Sequence, residues 1–262
     1  MKAKVTANHD MGGGIHRLTL YAPTIAERVI PGQFVHVQCG AGRDFILRRP
    51  FAVHGLTAGG AIEILFNVVG KGTRILAHAK ANDTIDILGP LGNGFDTGGD
   101  VSKVVLVAGG MGVAPLFFLA ERLSAKNSKV VTVIGAATKS RLTDYMELKR
   151  QTRRIVAVTE DGTQGVKGLV SDVIPGEIDI EKPTRIYACG PIGMLRVVAA
   201  IAKLHHVACQ VALEERMACG VGVCFGCVVP TKHGYLKVCS DGPVFDAEII
   251  DWKALEAGRS GN

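Results

Sequence analysis

Three cysteines crowded into nine residues, Cys219-Gly220-Val221-Gly222-Val223-Cys224-Phe225-Gly226-Cys227, with Cys239 twelve positions further on, constrain this chain more than any other feature. Thiols packed this densely must share a loop that curls back on itself, and Gly220, Gly222 and Gly226 free the backbone to do so. The C-x4-C-x2-C run has the spacing of plant-type [2Fe–2S] sites, in which four thiolates hold two irons. Such a loop also needs backbone N–H groups aimed at the sulfurs, because those hydrogen bonds tune the potential. A structural zinc site with four thiolates is the alternative. Zinc sites, however, usually join two separated short Cys pairs, and the crowding here favours an iron–sulfur site at Cys219, Cys224, Cys227 and Cys239. Cys39 and Cys209 read as small core or edge residues.

At 262 residues the chain has room for about two domains of roughly 150 residues, each able to bury a core. Thirty Lys and Arg against 24 Asp and Glu give a net charge of +6, and the longest basic cluster, Lys149 to Arg154, is short. Aromatic residues, at 5%, are too few for the stacking platforms that hold single-stranded nucleic acid. Nucleic acid is therefore not expected as a partner, and the charge suits an acidic protein surface or an anionic cofactor. Residues Met1 to Asp10 turn polar where an apolar signal core would begin. The longest uncharged stretch, Val104 to Ala120, falls short of the about 20 residues of a span and is broken by Gly109, Gly110, Gly112 and Pro115. The expectation is a cytoplasmic chain with no membrane segment, whose thiols stay reduced, so that seven cysteines need a role other than disulfides.

The first hundred residues pattern as short strands with frequent turns. Ile15–Tyr21, Phe34–Cys39, Ala61–Val69 and Thr84–Leu88 carry the signal, several of them alternating apolar and polar residues, with Pro31-Gly32 and Gly89-Pro90 as punctuation. A small antiparallel barrel fits residues 1–98, with a short helical segment near Ile75 to Ala79. Near Gly98 the pattern changes to continuous apolar strands alternating with helices: Lys103–Ala108, a helix from Pro115 to Ala125, Val130–Ile134, a helix near Thr143 to Thr152, Arg154–Val158, a short helix after Gly168, Arg185–Cys189 and a helix from Gly193 to Leu204. That alternation predicts an α/β parallel sheet over residues 99–206. Residues 207–262 form a third, cysteine-rich unit with hardly room for a core of its own.

Gly109-Gly110-Met111-Gly112-Val113-Ala114-Pro115 stands between an apolar strand and a helix, where a pyrophosphate can approach the backbone at a helix N-terminus. Pro115 replaces the third glycine of the dinucleotide fingerprint, so the turn is equally consistent with plain helix–sheet packing. The next strand ends at Ile134-Gly135-Ala136-Ala137-Thr138 without the acid that would bind a ribose. Lys139 and Arg141 follow; they read as solvated surface, with a 2′-phosphate contact as the alternative, which leaves NAD or NADP open.

Taken in order, Arg48 to Val53, Val69-Gly70-Lys71-Gly72-Thr73, Gly89 to Phe95, Gly109 to Pro115, Cys189-Gly190-Pro191 and the cysteine cluster resemble the ferredoxin–NADP reductase superfamily. Glu214 to Cys219 and Cys239 to Phe245 narrow the resemblance to the electron-transfer subunits of NAD-linked dihydroorotate dehydrogenases, over about residues 1 to 250. The resemblance implies FAD on the barrel, with Arg49 at the flavin diphosphate, Pro50, Phe51 and Ala52 lining the flavin, Leu65, Phe66 and Asn67 along its ring and ribityl chain, and Gly72 and Thr73 cradling phosphate. Ala52 stands where that family usually has Ser or Thr, so a hydroxyl contact is missing. It further implies NAD(H) held by Gly110, Gly112, Pro115, Gly190, Pro191 and Met194, with Cys189 facing nicotinamide and flavin. His54 is expected to be structural. No orotate site is visible, so the implied partner is a separate FMN-containing dihydroorotate dehydrogenase catalytic subunit, in a heterotetramer with two copies of each chain. The competing readings are a homologous subunit of a sulfide dehydrogenase, hydrogenase or transhydrogenase, and a redox-sensing or zinc-stabilised binding module without turnover.

Overall fold

The computed structural model describes residues 1–40, 42 and 45–258; positions 259–262, the end of the predicted third unit, lie outside the described residues. Six strands, β1 (Lys2–Gly12), β2 (Ile15–Tyr21), β3 (Phe34–Val37), β4 (Arg49–Thr57), β5 (Ala61–Asn67) and β6 (Thr84–Leu91), close an antiparallel barrel in the order β1-β2-β5-β4-β3-β6. Alternation fills it: Val35 and Val37 of β3, Leu18 and Leu20 of β2, and Ile62 and Ile64 of β5 point into one core. Strand β1 closes the barrel by pairing with both β2 and β6. Its alternation is easily missed, because Ala3 and Val5 turn inward between exposed Lys2, Lys4 and Thr6. Helices α1 (Pro23–Ala26) and α2 (Lys71–Ala77) bridge strands, α2 beginning before the predicted segment.

The second unit is the predicted parallel sheet. Strands β7 (Lys103–Gly109), β8 (Lys129–Ala136), β9 (Arg154–Thr159), β10 (Val166–Lys167) and β11 (Arg185–Cys189) pair in parallel, with helices α3 (Val113–Ala125), α4 (Tyr145–Gln151), α5 (Val170–Glu181) and α6 (Ile192–Leu204) between them. Both faces are buried, which explains the unbroken apolar runs. Along β7, Val104, Leu106 and Ala108 pack under α3, while Val105 and Val107 pack under α5 and α6.

The cysteine-rich stretch does not stand apart. Strand β12 (Ala208–Ala212) adds to β11 in parallel, and after the hairpin β13 (Val228–Thr231) and β14 (Gly234–Lys237), β15 (Val244–Asp246) adds antiparallel to β12. The sheet thus has seven strands, ordered β10-β9-β8-β7-β11-β12-β15. Helix α7 (Trp252–Ala257) starts with Asp251 accepting the Ala254 N–H and lies against the hairpin. Cys227, Cys239, Val229 and Val238 belong to the same core as Val105, Ile186 and Leu195. No helix among the described residues is long and apolar enough to cross a membrane.

Helix α3 fixes the barrel to the sheet. Its Leu116 and Leu119 pack on β7, whereas Phe118 enters the barrel core. Next to it, Phe117 stacks on His54 of β4 with ring centroids 4.3 Å apart. His54 Nε2 donates to Asp144 Oδ2 at 2.9 Å, and Arg17 of β2 donates to the other Asp144 oxygen and, at 3.2 Å, to Glu147. Glu63 of β5 stands 3.7 Å from His54 Nδ1, an ion-pair distance rather than a hydrogen bond. The ring is structural, as the sequence suggested. Burial alone would lower its pKa, but Asp144 and Glu63 outweigh burial and raise it. Asp144 is lowered, because His54 and Arg17 together overcome the opposing effect of burial.

Two outcomes are expected from this cluster. Removing one partner of a buried ion pair strands the others, so Asp144→Ala should cost about 3–5 kcal/mol in urea unfolding. The raised His54 value favours the folded state at and below pH 6.5, its ordinary value, and that contribution fades as pH rises through the folded value. His54→Gln should therefore remove a fall in stability above pH 6.5 that the native chain shows; an identical slope in both proteins would contradict the assignment.

Candidate functional site

A cleft of about 1260 Å³ opens where the three units meet. Arg49, Pro50, Phe51 and Ala52 of β4 and Leu65, Phe66 and Asn67 of β5 line its barrel wall, with Thr73 nearby. Phe51 and Phe66 form its apolar side, their ring centroids 5.7 Å apart. Arg49 is exposed, with Nη1 held by the Leu47 and Arg48 carbonyls, while its neighbour Arg48 is committed to Asp86. Ala52 is half-buried opposite Phe34 in the β3–β4 ladder. The Thr73 hydroxyl accepts the Val69 and Gly70 N–H groups, each at 3.0 Å, and so caps the start of α2. Gly72 is not on the cleft; it packs over Cys39, where an added β-carbon would come within 3.1 Å of the Cys39 β-carbon.

The sheet contributes Pro115 and Cys189 to the cleft. They lie beyond the carboxyl ends of the neighbouring parallel strands β7 and β11, where open α/β sheets receive ligands. Pro115 sits in the first turn of α3, where a missing N–H costs no hydrogen bond. The glycines of the two strand–helix turns permit close packing. A β-carbon on Gly112 would fall 2.0 Å from the Cys189 carbonyl oxygen, and one on Gly190 would fall 2.7 Å from Met194 Cε. Gly110 takes a left-handed φ of +53° in the turn, and Pro191 leads into α6. None of Gly110, Gly112, Gly190, Pro191 and Met194 lines the cleft itself: Gly112 is buried against the Cys189 carbonyl, whereas Gly110 and Pro191 are exposed beside the two helix starts. Burial, with Glu214 adding to it, pushes the Cys189 thiol well above its ordinary range, so it presents a neutral S–H.

The cleft continues along Leu213, which the sequence does not mark, and along Glu214, Glu215, Arg216 and Met217, which it marks only as part of the resemblance. This segment leads directly into Cys219. Every sulfur of the cluster accepts a backbone N–H: Cys219 from Val221 at 3.5 Å, Cys224 from Gly226 at 3.4 Å, Cys227 from Cys239 at 3.4 Å and Cys239 from Gly222 at 3.1 Å. Left-handed φ values at Gly220 and Gly222, +70° and +82°, turn the loop back toward Cys239. The Val221 N–H is the main reason Cys219 is brought down to about 6. Burial, then the neighbouring Cys227, pushes Cys239 up to about 12. Among the described residues, no three His, Cys, Asp or Glu side chains gather as a site for a metal ion. Four thiols set in a ring of backbone donors are nonetheless the donor set of a sulfur-rich, anionic cluster. Cys39 and Cys209 are buried, as expected.

The barrel also touches the cysteine loop directly. Asn93, in the Gly89–Phe95 segment, donates to the Ser240 and Asp241 carbonyls at 3.0 and 3.1 Å, and a β-carbon on Gly92 would come within 2.5 Å of Pro243. Gly112→Ala should force the Cys189 strand end away from α3. Overpacking of this kind costs about 1–3 kcal/mol, and loss of stability together with weakened NAD(H) binding by calorimetry is the expected result; unchanged stability would contradict the packing.

Comparison with known proteins agrees with this architecture. The model for the iron–sulfur cluster binding domain of dihydroorotate dehydrogenase B matches residues 214–251, and that for an oxidoreductase NAD-binding domain matches residues 106–200. The electron transfer subunit of dihydroorotate dehydrogenase B (NAD(+)) from Desulforamulus reducens is 38% identical over 256 residues, 96% of this chain and 98% of the relative. Its namesake from Geobacillus kaustophilus is 44% identical over 245 residues, 90% of this chain and 92% of the relative. Among solved structures, that of an NADH-dependent reduced ferredoxin-NADP oxidoreductase aligns with a TM-score of 0.86 at 28% identity, covering 99% of this chain and 93% of the other. A ferredoxin NADP+ reductase from Neisseria gonorrhoeae, solved with bound FAD and NADP, shares the fold at a TM-score of 0.66 and 17% identity, over 83% of this chain and 94% of the other. With the barrel, the sheet and the cysteine loop all matched by relatives of nearly the same length, this chain belongs to the family of dihydroorotate dehydrogenase B (NAD(+)) electron transfer subunits.

Proposed function

We propose that this chain carries electrons between NAD(H) and a separate FMN-containing subunit that acts on dihydroorotate, using FAD on the barrel and a [2Fe–2S] cluster in the cysteine loop. The observation that carries the reading is the cleft itself, lined at once by the barrel motif, by the ends of β7 and β11 and by the segment that enters Cys219. When bound, FAD supplies the exchange between hydride and single-electron chemistry, and the cluster supplies single-electron carriage.

The chain's own residues hold and orient. Arg49 offers a guanidinium fork of the shape that suits a diphosphate, with Thr73 at the start of α2 as the second phosphate contact and Gly72 acting through the close packing of that turn on Cys39. Pro50, Phe51 and Ala52 would lie against the flavin, with Leu65, Phe66 and Asn67 along it. A backbone N–H near Ala52 would take the place of the hydroxyl its side chain lacks. The dinucleotide seat would lie over the starts of α3 and α6, where helix N–H groups favour the pyrophosphate: Gly110, Pro115, Gly190, Pro191 and Met194 would border it, and Gly112, buried beneath, lets the two strand ends approach closely. Cys189, a neutral and buried thiol, would face the nicotinamide and flavin without competing as a nucleophile. Hydride transfer there needs proximity and orientation rather than an acid–base pair. The relatives' names support NAD over NADP.

Around Cys224 the surface is apolar: Val223 is 72% exposed, Phe225 64% and Tyr235 74%. Phe225 holds a left-handed φ of +56°, uncommon for an aromatic residue, and Lys237 lies 4.9 Å over its ring. An exposed apolar rim beside an electron carrier fits a partner surface, and the catalytic subunit is the occupant we assign, in a heterotetramer.

Two variants test the reading together. Cys224→Ser should abolish the cluster EPR signal while NADH still bleaches the flavin. Phe225→Glu, checked for full iron content, should keep both signals but lose association with the dihydroorotate-oxidising subunit by about tenfold or more, at hot-spot magnitude. Flavin that NADH fails to bleach in the native chain would refute the reading.

A further inference from the structure

Strand β3 separates the barrel core from the cysteine loop. Val35 and Val37 enter the barrel, so Phe34 and His36 face the other way. That way is not solvent: Phe34 shares a core with Cys227 and Cys239, and His36 is fully buried. The His36 ring presses on the ligand loop so closely that a β-carbon on Gly220 would lie 2.6 Å from Nδ1 and 2.7 Å from Cε1. Across the ladder His36 stands opposite Pro50 of the cleft wall. It therefore lies between the strand that faces the flavin site and the loop that carries Cys219.

Neither Nδ1 nor Nε2 of His36 has a hydrogen-bond partner within the protein. Burying a polar group unpaired is unfavourable, whereas a leucine or phenylalanine would fill the space without that penalty. In any protonation state the ring carries at least one N–H. Gly220 follows Cys219 directly, so the acceptor that this loop would bring to the ring is a sulfur of the bound centre.

We propose that His36 donates a ring N–H to a sulfur of the iron–sulfur centre, tying the flavin-side strand to the cluster. Outer hydrogen bonds of this kind tune a metal centre, and one aimed at sulfur stabilises the more negative reduced form, so it raises the reduction potential. The inference rests on the iron–sulfur reading of the cysteine loop.

The test uses the complete chain, purified under exclusion of oxygen with ¹⁵N-labelled histidine. Pulsed EPR of the reduced cluster should show a histidine ¹⁵N coupling that disappears in His36→Gln. An EPR-monitored redox titration should place the His36→Leu midpoint below that of the native protein, with His36→Gln, which keeps an N–H, recovering part of the shift. A reduced cluster without histidine ¹⁵N coupling overturns the proposal, as does an unchanged midpoint in His36→Leu at full iron content. If His36→Leu does not assemble a cluster, the coupling in the native chain and its loss in His36→Gln decide. Native protein without iron would instead overturn the iron–sulfur reading.

Discussion

The cleft exists because one helix belongs to two cores. Helix α3 places Leu116 and Leu119 against the sheet and Phe118 inside the barrel. Burying such side chains is worth about 1.5–3 kcal/mol each. Packing of this sort has little direction, so it alone leaves the angle between the units loosely set. The charged cluster supplies direction, since the hydrogen bonds from Arg17 and His54 to Asp144 cross from barrel strands to the turn before α4. With barrel and sheet locked, the Arg49–Ala52 wall faces the ends of β7 and β11.

The cysteine loop depends on the same economy of cores. Its buried pair, Cys227 and Cys239, is anchored under the sheet, while Cys224 stays exposed. Strands β12 and β15 hold this unit in register with β11, the strand that ends at Cys189. The distance between the Cys189 end of the cleft and the cysteine loop is thereby set by hydrogen-bonded ladders rather than by a flexible linker. A fixed separation suits an electron carrier, and one backbone N–H holds each of the four cysteine sulfurs.

Much of this was legible in the sequence, for physical reasons. Continuous apolar runs announced β7, β8 and β11, because strands buried on both faces have no polar side to show. Cysteine spacing announced the loop, because metal ligation demands residue type and spacing together. What stayed hidden depends on tertiary partners. Strand β1 alternates Ala and Val with lysines, which reads as polar chain until a barrel closes on it. Strand β15 joins β12 antiparallel only after the whole cysteine loop and hairpin have intervened, a pairing that no local pattern announces. Asp144 carries no motif, and neither does His36; their roles arise only where β2, β4 and α4, or β3 and the Gly220 turn, come together. The barrel and crevice residues assigned by resemblance separate into a lining set and a supporting set, a division that only packing reveals.

The central claim is that one rigid chain joins a nicotinamide seat to a sulfur-ligated iron pair through the cleft between them. The most direct measurement is an anaerobic titration of the isolated native chain with NADH, followed by visible absorption and EPR with no partner subunit present. The account predicts bleaching of the flavin band accompanied by the EPR signal of a reduced [2Fe–2S] cluster. Flavin that is reduced while an intact cluster stays oxidised, although a redox titration places the cluster midpoint above that of the flavin, would contradict the account.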